Sequence, residues 1–239
     1  MKLFCLAHAG GSANVYLAWR PHLYGSVELT PVELPGRGRR ISEPLRQRFD
    51  DVLDDVAAEV TRSGVPADYA LFGHSFGAVL GYELAHLLVA RGLPAPRHVF
   101  LSSSCSPDRI GGLGFDLSGG DRTLLSSLAY LGGTPDEIVM DDEAVALFAP
   151  ILRADLRALY DYRYVERPRL PSDVSILLAS HDGLASADDA ARWAALFDGQ
   201  ASTRVLAGGH FAALERPAEV AGWVSGLLAR SGRVQQAAG

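Results

Sequence analysis

The sequence lacks the features that mark several large classes of protein. Its longest mostly apolar stretch, residues 76–90, contains Glu83 and His86 and is too short and too polar to cross a bilayer. Its only cysteines, Cys5 and Cys105, lie in apolar strand-like contexts, which favours reduced thiols and a cytoplasmic location. A formal net charge of −6 argues against a general nucleic-acid binder. We therefore expect a soluble globular protein with neither a membrane nor a nucleic-acid partner.

Motifs for the common cofactors are also absent. The Gly10-Gly11 pair is part of neither a G-x-x-x-x-G-K-[ST] nor a G-x-G-x-x-G pattern, which argues against a nucleotide-binding loop. No spacing of cysteine and histidine matches a zinc site. The sequence thus predicts no cofactor and no metal ion.

The chain does contain a regular alternation of short apolar runs with turns and helical patterns. The runs lie at residues 2–7, 27–32, 69–73, 97–103, 174–180 and 203–207. Apolar spacing predicts an amphipathic helix over 49–62 and a buried helix over 76–91. This alternation predicts an α/β fold in which a mostly parallel central sheet is flanked by helices, with residues 1–239 forming one domain.

The strand rhythm breaks between about residues 107 and 172. Gly-rich turns are followed there by helical patterns around 121–131 and 142–164. We interpret the segment as a helical insertion that lies as a lid over the substrate site, because lids commonly control substrate access. The alternative is an extra helical layer with no gating role.

The strongest chemical signal is the stretch Y-A-L-F-G-H-S-F-G at 69–77. A bare G-x-S-x-G is a weak signal in a chain with 25 glycines, but here an apolar strand precedes it and a helix follows. A nucleophile elbow needs a sharp turn that exposes the serine oxygen at the carboxyl edge of the sheet, with small residues at both glycine positions. The pattern predicts an α/β-hydrolase fold with Ser75 as the nucleophile; a plain turn serine is the alternative.

A serine hydroxyl needs a base to take its proton, and this fold supplies its partners in the order Ser, Asp or Glu, His. Among the histidines after Ser75, only His210 comes late, in a Gly-rich loop after a strand. Asp182 follows the buried-strand run 174–180, in a loop from which a carboxylate would reach the imidazole and hold its tautomer. Because His181 is adjacent to Asp182, an error of one residue in placing this loop would change the assignment.

The oxyanion of a tetrahedral intermediate needs backbone donors in this fold. One comes from the residue after the nucleophile and another from a loop after an earlier strand. The N–H groups of Phe76 and of Ala9, in the loop after the first strand, are the predicted donors.

Several motifs together resemble the type II (editing) thioesterases of polyketide and nonribosomal peptide synthesis. The likeness lies in L-F-C-L-A-H-A-G-G-S-A at 3–13 with Tyr16 and Trp19, E-L-P-G-R-G-R-R at 33–40 with Glu43 and Pro44, the elbow at 71–77, L-G-G-T-P at 131–135, L-R-A-D-L at 152–156, Y-R-Y at 162–164 and G-G-H-F at 208–211. Two positions depart from the family pattern: Phe76 stands where Met is frequent, and Gly183 where proline is common.

The resemblance implies a serine hydrolase acting on thioesters. It would remove acyl groups from the phosphopantetheine arm of acyl or peptidyl carrier proteins, with Ser75, His210 and Asp182 as its triad and helices of the insertion as its lid. We expect the enzyme to be a monomer.

Five arginines crowd one segment of this otherwise acidic chain: Arg37, Arg39, Arg40, Arg46 and Arg48. Carrier proteins are generally acidic, so one interpretation is a docking patch for the carrier. The other is a solvated loop whose arginines pair within the molecule.

Three other functions stay open on the sequence alone. A general carboxylesterase or lipase uses the same triad, and the elbow does not distinguish the two. A chain-terminating thioesterase domain is disfavoured, because no carrier domain or long linker precedes the first strand. A catalytically silent scaffold that binds acyl chains or carriers is disfavoured by an intact triad.

Overall fold

The computed structural model describes residues 1–128, 131–132 and 136–236. Its strands are β1 (Lys2–Leu6), β2 (Glu28–Val32), β3 (Tyr69–His74), β4 (His98–Ser102), β5 (Asp173–Ala179) and β6 (Ala201–Leu206). They form one sheet in the order β2-β1-β3-β4-β5-β6, and every neighbouring pair is parallel. The parallel sheet predicted from the apolar runs is therefore confirmed.

Helices occupy both faces of this sheet. The α-helices are α1 (Phe49–Arg62), α2 (Phe76–Ala90), α3 (Asp121–Ser127), α4 (Asp136–Met140), α5 (Asp142–Asp161), α6 (Ala187–Ala194), α7 (Ala212–Glu215) and α8 (Pro217–Gln236). 3₁₀ turns cover Ala13–His22, Gly38–Arg40 and Pro107–Gly112. Of the motif at 131–135, residues 133–135 lie outside the described residues, as do residues 129–130 of the helix predicted over 121–131.

Alternate side chains of the strands enter two separate cores. In β1, Phe4 and Leu6 pack with α1, α2 and α6, whereas Leu3 and Cys5 pack with α8 and the 3₁₀ turn that carries Trp19. This division follows from the period of two in a strand. It leaves the sheet buried on both faces, which is why its central strands have nearly continuous apolar sequences.

The predicted ends of a helix or strand agree with the observed ends where the side chains there follow a buried pattern, and they differ where those side chains are exposed. The helix predicted over 49–62 has those bounds because its buried residues repeat along one face. β6 instead begins at Ala201, two residues before the predicted apolar run, because its first three side chains are exposed at the edge of the sheet. Backbone pairing with β5 extends the strand there without any buried side chain.

The described part of the segment between β4 and β5 is helical, as predicted. α3, α4 and α5 share an apolar cluster of their own, built on residues such as Leu124, Val139 and Leu152. This cluster is distinct from the two that line the sheet. The insertion thus packs as a layer of its own beside the carboxyl ends of the strands.

The turn from β3 to α2 depends on two glycines. A Cβ atom at Gly73 would collide with the backbone of Gly77, and a Cβ atom at Gly77 would collide with the carbonyl oxygen of Leu6 in β1. Both clashes are with backbone, which cannot rotate away. The first turn of α2 therefore lies directly against β1 and β3.

We expect Gly77→Ala to lower the free energy of unfolding by about 1–3 kcal/mol or to prevent folding, because an added methyl group overpacks this contact. Gly81→Ala, one turn further along α2, is the matched control. Its Cβ atom would meet only the Leu6 side chain at 3.4 Å, an ordinary contact, and alanine stabilises a helix interior by roughly 0.5–1 kcal/mol relative to glycine. Urea unfolding of both variants makes the comparison; equal midpoints would contradict the steric account.

Candidate active site

Ser75 lies at the turn between β3 and α2 in a backbone conformation that few residues adopt. Its φ is +56° and its ψ is −117°. Its backbone N–H donates to the carbonyl oxygen of Ser102 at the end of β4, at 2.8 Å. A positive φ in a residue other than glycine costs energy and persists only where the surroundings hold it. The contacts of Gly73 and Gly77 supply that constraint, and the turn has the geometry expected of a nucleophile elbow.

His210 and Asp182 meet at the same edge of the sheet, from the loops after β6 and β5. The Asp182 carboxylate oxygens lie 3.0 and 3.1 Å from His210 Nδ1, and both side chains are almost completely buried. The neighbouring His181 is exposed, and its backbone N–H donates to the carbonyl oxygen of Gly208 at 2.9 Å, which joins the two loops. The structure therefore pairs His210 with Asp182, as predicted, and not with a neighbour in the loop.

Several donors hold the Asp182 carboxylate in its charged form. Burial by itself raises the pKa of Asp182, but the hydrogen bond and charge of His210, with donors from Leu184 and Ser103, outweigh it and keep the pKa below its ordinary value. An ionised carboxylate at this position stabilises an imidazolium and fixes the imidazole tautomer.

Ser103 is a residue that the sequence analysis missed. It follows β4 directly, has a φ of +49°, and its hydroxyl lies close enough to Asp182 to help lower the pKa of that carboxyl. A serine in the run S-S-S-C-S carries no local pattern that distinguishes it from its neighbours. Its position at the carboxyl end of a strand beside β5 is the signal that would have identified it.

Ser75 and His210 line the same cavity. Among the hydrogen bonds of the described residues, none joins the Ser75 hydroxyl to His210. In substrate-free enzymes such bonds are often long and tighten only when substrate binds.

The two predicted oxyanion donors are the backbone N–H groups of Phe76 and Ala9. Phe76 is the first residue of α2, and the first N–H groups of a helix have no partner within the helix. Ala9 lies in the turn after β1, and in the described part of the chain its N–H makes no hydrogen bond. Both residues line the cavity together with Ser75.

Two further imidazole rings, those of His8 and His74, lie beside the loop that carries His210. Burial lowers the pKa of His8 to about 3, and the charges of His210 and Arg37 add to the effect. Burial likewise lowers the pKa of His74 well below its ordinary value, with His210 and His8 contributing. Both rings pack on Phe211, at centroid distances of 4.8 and 5.5 Å. At neutral pH they are uncharged ring surfaces that support the loop carrying His210.

The cavity in front of Ser75 has a volume of about 580 Å³. Beyond the polar residues of the site its walls are apolar and come mainly from the insertion, for example Phe115, Leu125, Ile151 and Leu156. This volume is in the range of roughly 300–1,000 Å³ that is usual for small-molecule sites. The insertion therefore forms the walls of an apolar pocket next to the serine.

The arginine segment differs from the predicted docking patch. Arg37 is buried, 3% exposed, against a carboxylate of α5, so its charge is not available at the surface. Arg39 and Arg40 also hold ion pairs with nearby carboxylates. Of the five, only Arg46 and Arg48 are exposed and without an ion pair in the described part of the chain. Of the two interpretations left open by the sequence, Arg37 therefore follows the second, pairing within the molecule, as a buried guanidinium requires.

The described residues contain neither a candidate metal site nor a candidate membrane-spanning helix. No group of three or more His, Cys, Asp or Glu side chains is arranged to hold a metal ion. None of the described helices is both long enough and apolar enough to pass through a bilayer.

Comparison with known proteins identifies a family. A family model described as a thioesterase domain matches residues 1–227. The thioesterase PikA5 of Streptomyces venezuelae is 33% identical over 215 residues, which cover 88% of this chain and 75% of that protein.

Solved structures agree with this assignment. ClbQ from the colibactin NRPS/PKS pathway superposes with a TM-score of 0.92 at 28% identity, covering 98% of each chain. The type II thioesterase BorB from the borrelidin biosynthetic cluster gives a TM-score of 0.85 at 32% identity, covering 95% of this chain and 92% of that one. The predicted α/β-hydrolase fold and the predicted resemblance are both confirmed, and the chain belongs to the thioesterase domain family.

Proposed function

We propose that this protein is an editing thioesterase of the type II class. It hydrolyses stalled or aberrant acyl groups from the phosphopantetheine arm of acyl or peptidyl carrier proteins in polyketide or nonribosomal peptide synthesis. The observation that carries the proposal is the strained Ser75 turn, which opens with His210 onto a large apolar cavity in a chain of the thioesterase family. Relatives whose names place them in such pathways support it.

The proposed catalytic residues are Ser75, His210 and Asp182. Ser75 Oγ attacks the thioester carbonyl carbon while His210 takes its proton, and Asp182 stabilises the imidazolium. The oxyanion accepts hydrogen bonds from the N–H groups of Ala9 and Phe76. The carbon–sulfur bond then breaks and His210 returns the proton to sulfur, which leaves a free thiol on the carrier and an acyl ester on Ser75.

Water completes the reaction. His210 takes a proton from a water molecule, whose oxygen attacks the ester carbonyl carbon of the acyl-enzyme. The tetrahedral oxyanion uses the same two donors, as the reverse of the first step requires. When the carbon–oxygen bond to Ser75 breaks, His210 returns the proton to Ser75 Oγ and the carboxylic acid leaves.

The remaining assignments follow from this function. The partner is a carrier protein, of which only the acyl arm enters the cavity. We assign the enzyme to the cytoplasm, where carriers are loaded, and we treat residues 1–239 as one monomeric domain with a lid at about 107–172. The alternative of a general carboxylesterase requires only the triad, and a non-catalytic scaffold requires only the cavity.

We expect mass spectrometry of a propionyl-loaded carrier protein to show loss of the acyl group with the wild-type enzyme and none with Ser75→Ala. Asp182→Asn should slow the reaction by about 10⁴-fold, because the imidazole then adopts the wrong tautomer. Asp188→Asn is the matched control: this exposed carboxylate on α6 pairs only with surface groups, so the rate should stay unchanged.

Hydrolysis of a simple aryl ester should be measured in the same samples. Rapid cleavage of the ester with an untouched carrier would keep the triad and assign the protein to the carboxylesterases. Binding of the acyl carrier with no turnover of either substrate would favour the scaffold.

The cavity makes a separate prediction about acyl length. Leu125 on α3 is 2% exposed and lines the cavity, so Leu125→Phe should lower the rate for an octanoyl carrier relative to a propionyl carrier by about tenfold or more. Leu124→Phe is the control, because Leu124 is similarly buried on the same helix but is not among the residues that line the cavity. An unchanged octanoyl-to-propionyl ratio in Leu125→Phe would mean that the acyl chain lies elsewhere.

A further inference from the structure

Asp155, on the insertion helix α5, binds the turn after β1 through its side-chain carboxylate. Its side chain is completely enclosed, with the residue 1% exposed, and it accepts the backbone N–H of Gly10 at 2.7 Å. The same carboxylate accepts from both Nη atoms of Arg37, with Nη2 at 2.7 Å. A buried carboxylate is thus compensated by three donors, one of which comes from the loop next to Ser75.

Arg37 binds the other side of the same turn. Its Nη1 donates to the carbonyl oxygen of Gly11 at 3.3 Å and its Nε to that of Pro35 at 3.4 Å. The Gly10 N–H and the Gly11 carbonyl are therefore both fixed by one ion pair. Gly10 itself has a φ of +78°, a conformation that favours glycine.

The hydrogen bonds inside this turn, together with the one to Asp155, determine where the Ala9 N–H points. The peptide group is planar, so the His8 carbonyl and the Ala9 N–H share one plane and point in opposite directions. The His8 carbonyl accepts the N–H of Gly11 at 3.0 Å, inside the turn, which directs the Ala9 N–H outward. The next plane, that of the Ala9 carbonyl and the Gly10 N–H, is held by Asp155.

We propose that Asp155, oriented and neutralised by Arg37, is a positioning residue that aligns the Ala9 N–H as an oxyanion donor. The inference rests on the proposed function, since it concerns the same transition state. It also gives the insertion a second role, because α5 supplies both a wall of the acyl cavity and the acceptor that orders the oxyanion loop.

A different role for Arg37 would be to bind an anionic group of the substrate, because Arg37 also lines the cavity. The contacts argue against it. Both Nη atoms of the guanidinium are committed to Asp155, and Nε faces a carbonyl oxygen. Its charge is balanced by a carboxylate in direct contact, so little field remains for a substrate anion.

The test compares two double variants with the wild-type enzyme. Arg37→Met with Asp155→Leu replaces the ion pair by apolar side chains, which preserves stability in other proteins, but leaves the Gly10 N–H without an acceptor. Arg37→Met with Asp155→Asn also removes both charges but keeps an amide oxygen for Gly10. Neither variant buries an unpaired charge, so both should fold, which thermal unfolding will verify.

We expect kcat for a p-nitrophenyl ester to fall about 10- to 100-fold in the double variant with Asp155→Leu, with KM nearly unchanged. This is less than the roughly 10²- to 10³-fold loss that follows complete removal of one oxyanion donor, because the Ala9 N–H is misaligned and not removed. The rate of inactivation by a fluorophosphonate, whose phosphoryl oxygen uses the same donors, should fall by the same factor. The double variant with Asp155→Asn should recover most of both rates. A loss that appears in KM instead, or no recovery with the amide, would overturn the proposal.

A second ion pair with a buried carboxylate and a half-buried arginine supplies the structural control. Glu83 on α2 is 2% exposed and pairs with Arg167 at 2.6 Å, without touching the oxyanion loop. Glu83→Leu with Arg167→Met should leave kcat within about twofold of the wild type. An equal loss of kcat in this control would show that any broken buried pair has the same effect. The aryl ester and the fluorophosphonate need no carrier, so a negative carrier assay would refute the proposed function without affecting this comparison.

Discussion

The close contact of three backbone segments is the constraint on which the rest of the molecule depends. At Gly73 and Gly77, β3, the start of α2 and the end of β1 approach so closely that no Cβ atom fits between them. The chain can then reverse only through a strained residue, and that residue is Ser75. The same contact places the first free N–H of α2, that of Phe76, next to the serine. The proposed nucleophile and one proposed oxyanion donor thus have the same structural origin.

Parallel strands bring the other groups to the same place. The loops that follow β1, β5 and β6 all leave the sheet at its carboxyl edge, so Ala9, Asp182 and His210 meet around Ser75 although they are far apart in sequence. The insertion between β4 and β5 covers this edge with an apolar wall and brings Asp155 to the turn after β1. In this arrangement the insertion is part of the site and shares its hydrogen bonds.

Patterns along the sequence predicted the features that depend on the order of elements and on residues close together in the chain. The ends of α1 follow from its buried face, and the positions of Asp182 and His210 follow from strand and loop order in this fold. Arg37 and Asp155 lie 118 positions apart, in two separate motifs of the family resemblance. Neither motif indicates that the two residues pair, so the sequence left docking and internal pairing open. Ser103 was missed because its role depends on a neighbouring strand. Contacts between elements that are far apart in the sequence can be identified only from the folded structure.

The most direct test of this account concerns the nucleophile itself. The protein is inactivated with a fluorophosphonate, and its intact mass and proteolytic peptides are measured alongside the remaining thioesterase activity. The account predicts one phosphonyl group per chain, located on Ser75, in proportion to the activity lost. Loss of activity with Ser75 unmodified, or with the label on another residue, would contradict it.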